Sequence, residues 1–346
     1  MTTMRLVSQP EPGFVQAINN GLAFWHKNSL EIHDSASLIK LNADVDNLIR
    51  ILDFALKLPG CWQPTAELIA QVFILPDRLG YWRLWQEILA AVIANSPKPD
   101  SELTLLLQCQ YGKLKRSIGH FTNAVMIHQR ALSHAQQLPN KDLAAKINQE
   151  LAWDFYFANN LHDAIQEAEK ALRIYRLNEV DVPVVHVDIL RVLGICETRH
   201  GNWGKAENYL QMAFSLAKHL EDVIVPARTL IDLSILYRRM GAYEKGLDCD
   251  NQAKKLLVDT IFDDDFANVL LNMGSIYFDM GNFEAAKEAF EQGYNEYGGK
   301  SSDFNKKVHF INNLGNVYWK QGYLSKAEAF LRDALALRPK IGDEVG

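Results

Sequence analysis

"NNLGNVYWKQGYLSKAEAFLRDALALRP", residues 312–339, decides the fold. It sets an apolar residue beside a small one (Leu314, Gly315), then an aromatic (Tyr318), a glycine (Gly322), two alanines seven apart (Ala327, Ala334) and a proline (Pro339). Apolar residues recur at helical spacing on both sides of Gly322. Glycine tolerates the left-handed backbone that ends a helix. The stretch therefore predicts a helix, a tight turn and an antiparallel helix.

The same order returns five times upstream. "NMGSIYFDMGNFEAAKEAFEQG" (272–293) and "VLGICETRHGNWGKAENYLQMA" (192–213) match it nearly position for position. "DLSILYRRMGAYEKGLDCDNQA" (232–253) carries Gly246 in place of the first alanine. "ELAWDFYFANNLHDAIQEAEKA" (150–171) replaces the turn glycine with Asn159, and "QYGKLKRSIGHFTNAVMIHQRA" (110–131) is the earliest clear copy. The small residue falls at Gly112, Ala152, Gly194, Ser234, Gly274 and Gly315, a spacing of 40 to 42 residues. The turn residue falls at 119, 159, 201, 241, 281 and 322. One such hairpin cannot bury its own apolar face, but stacked copies can, so the product is an all-α solenoid.

The pattern resembles the tetratricopeptide repeat family over roughly residues 101–339. The period exceeds that family's usual length, and "LNEVDVPVV", "HLEDVIVP", "DTIFDDDF" and "GGKSSDFN" fill the joints. The longer variant looks like the repeats of bacterial regulators, quorum-peptide receptors and kinesin light chains. The resemblance implies a right-handed superhelical solenoid of helix-turn-helix repeats. We divide the chain into an N-terminal helical region of degenerate repeats (1–97), six repeats (98–339) and a polar tail (340–346). Within the first region, "DVDNLIRILDFALKL" (44–58), "TAELIAQVFILP" (65–76) and "YWRLWQEILAAVIAN" (81–95) read as amphipathic helices among four or five. Their order looks like the opening of the repeat domain in bacterial signal-transduction ATPases. "NSPKPDSE" (95–102) is a break.

Composition narrows the function. The 346 residues are 48% hydrophobic with a formal net charge of −6, which argues against a general nucleic-acid binder. No stretch approaches the roughly 18 uncharged apolar residues of a membrane span, and "MTTMRLVSQPEPGF" lacks the apolar core of a signal peptide. Cys61, Cys109, Cys196 and Cys249 form no CxxC pair and read as buried, reduced thiols. We expect a cytoplasmic protein without a membrane partner.

Patterns for chemistry are missing. "GNWGKAE" (201–207) lacks Walker A spacing and falls in an inter-helix turn. No HExxH, Cys/His zinc pattern, GxSxG or Rossmann glycine run occurs, so neither metal nor cofactor is expected, and no catalytic residue. His120, His128 and His134 share one hairpin and read as scattered surface or partly packed residues. "DTIFDDDFANV" (259–269) reads as helix capping rather than a cation site, because acids favour helix N-termini and EF-hand spacing is absent.

The remaining reading is a non-catalytic scaffold or adaptor that binds a partner protein or peptide in its concave face. The alternative is a sensor domain that binds a signalling peptide or small molecule and changes superhelical pitch. Carried over by register, the family resemblance places Lys146, Gln149, Trp153 and Tyr156 on that face, followed by Arg191, Arg228 and Arg238. Asn268, Asn272 and Phe278 come next, then Asn312, Asn313, Asn316 and Trp319. Asn272 and Asn313 stand where family members often hold a ligand backbone. Glu150, Val192 and Asp232 occupy that place in earlier copies. The last helix carries Phe330, Leu331, Leu335 and Leu337 with only "KIGDEVG" after Pro339. That leads to an expectation of self-association, a covering partner or a further segment.

Overall fold

The computed structural model describes residues 11–29, 35–79, 82–139, 141–177, 183–258, 260, 262–296 and 304–345. Among them are eighteen helices and no strand. The first six are α1 (Pro12–Ser29), α2 (Ser35–Ala43), α3 (Val45–Leu56), α4 (Trp62–Val72), α5 (Ile74–Leu79) and α6 (Trp82–Ala94). The other twelve form six hairpins. These are α7 (Glu102–Ser117) with α8 (Phe121–Ala135), α9 (Asp142–Phe157) with α10 (Leu161–Leu177), and α11 (Pro183–His200) with α12 (Trp203–Ala217). Then follow α13 (Ile224–Arg239) with α14 (Tyr243–Leu257), α15 (Asp263–Asp279) with α16 (Phe283–Glu296), and α17 (Phe304–Lys320) with α18 (Leu324–Val345).

Each turn closes as the sequence requires. Gly119, Gly201, Gly241, Gly281 and Gly322 have φ between 75 and 85°, and Asn159 has φ 62°. The N–H after each turn residue reaches back to a carbonyl of the last helical turn, as in Asn282 N–H to Tyr277 O at 2.9 Å. The turn residue's own N–H does the same, Gly281 to Phe278 O at 3.0 Å. This paired closure satisfies carbonyls that a helix end leaves orphaned.

The small residues let the two helices of a hairpin meet. A Cβ on Gly194 would lie 2.5 Å from Leu210 Cγ, and one on Gly315 would lie 2.9 Å from Leu331 Cγ. One on Gly274 would enter the Phe290 ring. In every repeat the residue facing the small position stands sixteen places later: His128, Ala168, Leu210, Asp250, Phe290 and Leu331. The alanine positions Ala124, Ala164, Ala206, Ala286 and Ala131, Ala171, Ala213, Ala253 are sealed, and Ala327 and Ala334 of the last repeat are nearly so. Gly246 is forced by the next repeat, since a Cβ there would lie 2.9 Å from Ile276 Cδ1.

Successive first helices (α7, α9, α11, α13, α15, α17) pack on one another, whereas successive second helices barely meet. The first helices thus form the shorter, concave arc. α4 packs on α7 as one first helix does on the next, and α6 packs on α7 as a second helix does.

Three details depart from the sequence reading. Residues 65–76 do not form one helix: α4 ends at Val72 and α5 starts at Ile74. The described residues of the N-terminal region hold six helices rather than four or five. α18 continues through Pro339 to Val345, so the proline does not end it and residues 340–345 are helical. The four cysteines are free and buried, as read from their apolar surroundings.

Candidate functional site

The concave row is built from side chains that first-helix periodicity brings to one face. Much of it is already tied across repeat boundaries. Arg191 Nε donates to Asp232 Oδ2 (2.8 Å) and its Nη1 to Asp188 (2.9 Å). Arg228 grips Asp265 with two bonds of 2.8 and 3.0 Å. Arg238 reaches Asp279 (2.6 Å), and Lys306 pairs with Asp264 (3.1 Å). Apart from Asp188, which shares α11 with Arg191, these partners are about one period apart in sequence, so each of those bonds joins one first helix to the next. All three aspartates in "DDD" stand in the first turn of α15, where acids are expected, and two of them also make cross-repeat pairs, while Phe262 occupies the N-cap position.

At the first joint the pairing goes into the core. Arg116 binds Asp154 (2.6 Å), the Glu150 carboxylate and the Glu150 carbonyl (3.1 Å). His128, wholly buried opposite Gly112, bonds Asp154 through Nδ1 and the Cys109 carbonyl through Nε2 (2.9 Å). Burial alone would strip the His128 proton, but Asp154 outweighs it and the imidazolium is held up to about 10. Glu150, which burial would raise, is instead held low by Arg116. The reading of His128 as a surface or partly packed residue is therefore corrected. It stands where Leu210, Phe290 and Leu331 stand in other repeats.

Of the residues assigned to the groove, Gln149 and Arg191 are buried, at 3% and 9% exposure. Trp153 and Tyr156 are half-buried and take guanidiniums on their faces: Arg191 lies 5.5 Å from the Trp153 ring and Arg199 lies 5.4 Å from Tyr156. Burial, with Asp232, pushes the Tyr156 phenol up. Phe157 joins them, 6.0 Å from Trp153 and stacked on Phe121 at 6.2 Å, and remains half exposed. The register overlooked Phe157, but the signal was present. Its equivalents are Ser117, Arg199, Arg239, Asp279 and Lys320, all polar.

The far half of the row is different. Lys146 is half-buried and makes no ion pair among the described residues. Asn268, Asn272, Asn312, Asn313 and Asn316 are all half-buried, on the adjacent helices α15 and α17. Asn272 Nδ2 is sealed beside the Asp250 carboxyl, and no hydrogen bond ties the other four side chains to another described residue. Phe278 meets Phe283 edge-on at 5.6 Å, and Trp319 is 56% exposed with Lys320 4.8 Å above its ring. Apart from the sealed Nδ2 of Asn272, these amides, with Phe278 on α15 and Trp319 on α17, offer groups able to pair with both N–H and C=O. Among the described residues no cluster of His, Cys, Asp and Glu is arranged to hold a metal ion. No described helix is long and apolar enough to cross a membrane.

Solved structures share this architecture at low identity. A Rap protein solved with Competence and Sporulation Factor superimposes with TM-score 0.62 at 13% identity, covering 95% of this chain and 99% of its own. NprR, solved with its cognate peptide NprX, gives TM-score 0.57 at 12% identity over 82% of both chains. A signal-transduction ATPase with numerous domains from Pyrococcus horikoshii, which bears a tetratricopeptide-repeat sensor, gives 0.56 at 18% identity over 82% of this chain and 45% of its own. No curated protein matches the chain in sequence. The tetratricopeptide-repeat family model matches residues 101–176, 225–297 and 265–340, more than half of the chain. The chain belongs to the tetratricopeptide-repeat family.

Proposed function

We propose that the chain is a non-catalytic interaction module that receives an extended segment of a partner protein or peptide along its first-helix row. The carrying observation is the amide surface of α15 and α17, bounded by Phe278 and Trp319. An extended backbone needs donors and acceptors in alternation, and asparagine supplies both. Aromatic anchors beside such groups are typical of binding hot spots. The ion pairs of α11, α13 and α15 support this reading by holding neighbouring first helices in register, so the surface is preorganised before a ligand arrives.

A sensor reading has its own support. Rap and NprR were solved with a bound factor and a cognate peptide, respectively. In a sensor, the bound segment would shift one repeat against the next. The cross-repeat pairs at Arg228 and Arg238 are the bonds such a shift would stretch.

The test is co-purification from the native cell with wild type and with the Asn272→Ala/Asn313→Ala variant. The variant should lose its specific partners while its melting temperature falls by no more than a few degrees, since both side chains are half-buried and only the inner end of Asn272 is sealed. Unchanged capture by the variant would remove the amide surface from the account.

A further inference from the structure

Behind Asn272 lies a polar group that packing does not explain. Asp250, on α14, faces the small residue Ser234, where other repeats place histidine, alanine, leucine or phenylalanine. It is fully buried. Ser234 Oγ–H donates to Asp250 Oδ2 at 2.7 Å. Asp250 Oδ1 and Asn272 Nδ2 are both sealed from solvent, and neither has a hydrogen-bond partner. Nδ2 is turned to the Asp250 side without completing a bond. Asn272 as a whole is only half-buried, so the rest of its side chain reaches solvent. The amide therefore has an inner end and a groove end.

With the carboxyl ionised, an inward Nδ2 meets an acceptor, whereas turning the amide over would set its carbonyl against a carboxylate oxygen. We propose that Asp250, in its ionised form, is a positioning residue that holds the Asn272 amide with Nδ2 inward and Oδ1 toward the groove, so that this position accepts a hydrogen bond from a ligand N–H and offers none. The ligand group it takes is a backbone amide or a protonated amine. The inference rests on the groove being the binding face, and it adds a polarity to it.

The register supports an individual device rather than a family rule. The residue equivalent to Asp250 in the next repeat is Phe290, so Asn313 has no carboxyl group in that place and can present either end. At the first joint the equivalent residue is His128, set behind Glu150, which occupies the Asn272 position there. Only where the groove position is polar and the facing residue is polar does the core carry a polar anchor. Val192 and Asp232 have Ala168 and Leu210 in that place. The groups that face Asp250 are Ser234 and Arg238 on α13, Asn272 on α15 and Cys249 on its own helix. Burial pushes the Asp250 carboxyl up to about 8 and the Cys249 thiol up to about 12, so over neutral pH the carboxyl alone changes charge there.

The test has two arms. In the first, asparagine side-chain amides are labelled with nitrogen-15 in the full chain, and the Asn272 pair is assigned by its loss in Asn272→Ala. Its shift should titrate with a single inflection and its protons should exchange slowly. In Ser234→Ala/Asp250→Ala, which copies the Ala152–Ala168 pair of the second repeat, the inflection should vanish and exchange should quicken at least about ten-fold as the closed arrangement is lost. The same titration and exchange in both proteins would overturn the positioning role. In the second arm, random peptides displayed on phage are selected on wild type at about pH 9, where the Asp250 carboxyl is ionised. The best binder is then made as a series with one backbone N–H at a time replaced by an ester oxygen. One ester should weaken binding to wild type about five-fold, the scale of one net hydrogen bond, and leave binding to Asn272→Ala unchanged. No such position would overturn the acceptor role while leaving the groove reading intact. Failure to select any peptide would overturn the groove reading and the acceptor role, and the first arm would still decide the orientation.

Discussion

Replacing His128 by leucine, the residue that the third and sixth repeats carry in its place, tests whether the buried cluster of the first joint is a coupled unit. The change suits the local shape, since Leu210 packs against Gly194 much as His128 packs against Gly112. What it removes is electrostatic. Asp154, with no exposed surface, keeps Arg116 at 2.6 Å but loses the imidazolium on its other oxygen. A hydrogen bond between charged groups contributes about 1.5–3 kcal/mol, and taking one partner from a buried pair costs about 3–5 kcal/mol. Because Arg116 remains and leucine adds apolar packing, the expected loss is about 3 kcal/mol. A solenoid opens by repeats, so the quantity to read is hydrogen exchange in α7–α9 rather than one global midpoint. Protection there should fall by about two orders of magnitude. Asp154 itself stands where other repeats have Leu114, Cys196, Leu236, Ile276 and Val317. His128→Leu/Asp154→Leu should therefore lose less than the sum of its single variants by at least about 2 kcal/mol. Additive effects, or a neutral His128→Leu, would refute the reasoning.

Three further outcomes follow from the same geometry. Gly274→Ala should lose about 2 kcal/mol by overpacking, read as faster exchange in α15 and α16, because its Cβ would enter the ring of buried Phe290. Asp250, held up to about 8 by burial, keeps a proton that the unfolded chain releases near pH 4. Between those values the folded state binds more protons, so this residue makes stability fall as pH rises, by at most about 1.4 kcal/mol per pH unit. Urea midpoints of Ser234→Ala/Asp250→Ala measured from pH 5 to pH 8 should thus fall less steeply than those of wild type. Arg191→Ala should cost about 3 kcal/mol, leaving buried Asp232 without its partner, and Arg238→Ala under about 1 kcal/mol, since that pair is about one-third exposed. Thermal unfolding of the two variants checks the order.

The repeating parts were legible because each acts within a single hairpin. The turn residues, Gly112 to Gly315 and the paired alanines all answer a local demand, and they fall in constant register. The cross-repeat bonds were not legible for the opposite reason. Arg191 and Asp232, or Arg228 and Asp265, lie about one period apart, and nothing in either local pattern names the other. A register assigns a position to the groove face, but it does not say whether the side chain there is free. Arg191 proved committed to its neighbours, whereas Asn312 did not. The polar core residues His128 and Asp250 stand at positions whose pattern predicts apolar or small side chains, so pattern matching passes over them. Pro339 misled because proline usually closes a helix, and here α18 runs through it.

The central claim is that an extended segment lies along the first-helix row. Its most direct test is hydrogen exchange of the full chain with and without the partner recovered from the native cell. The account predicts new protection concentrated in α15 and α17, around Asn272 and Asn313, and its loss in the Asn272→Ala/Asn313→Ala variant. Protection confined to the second helices α14, α16 and α18, with the first helices unchanged, would contradict it.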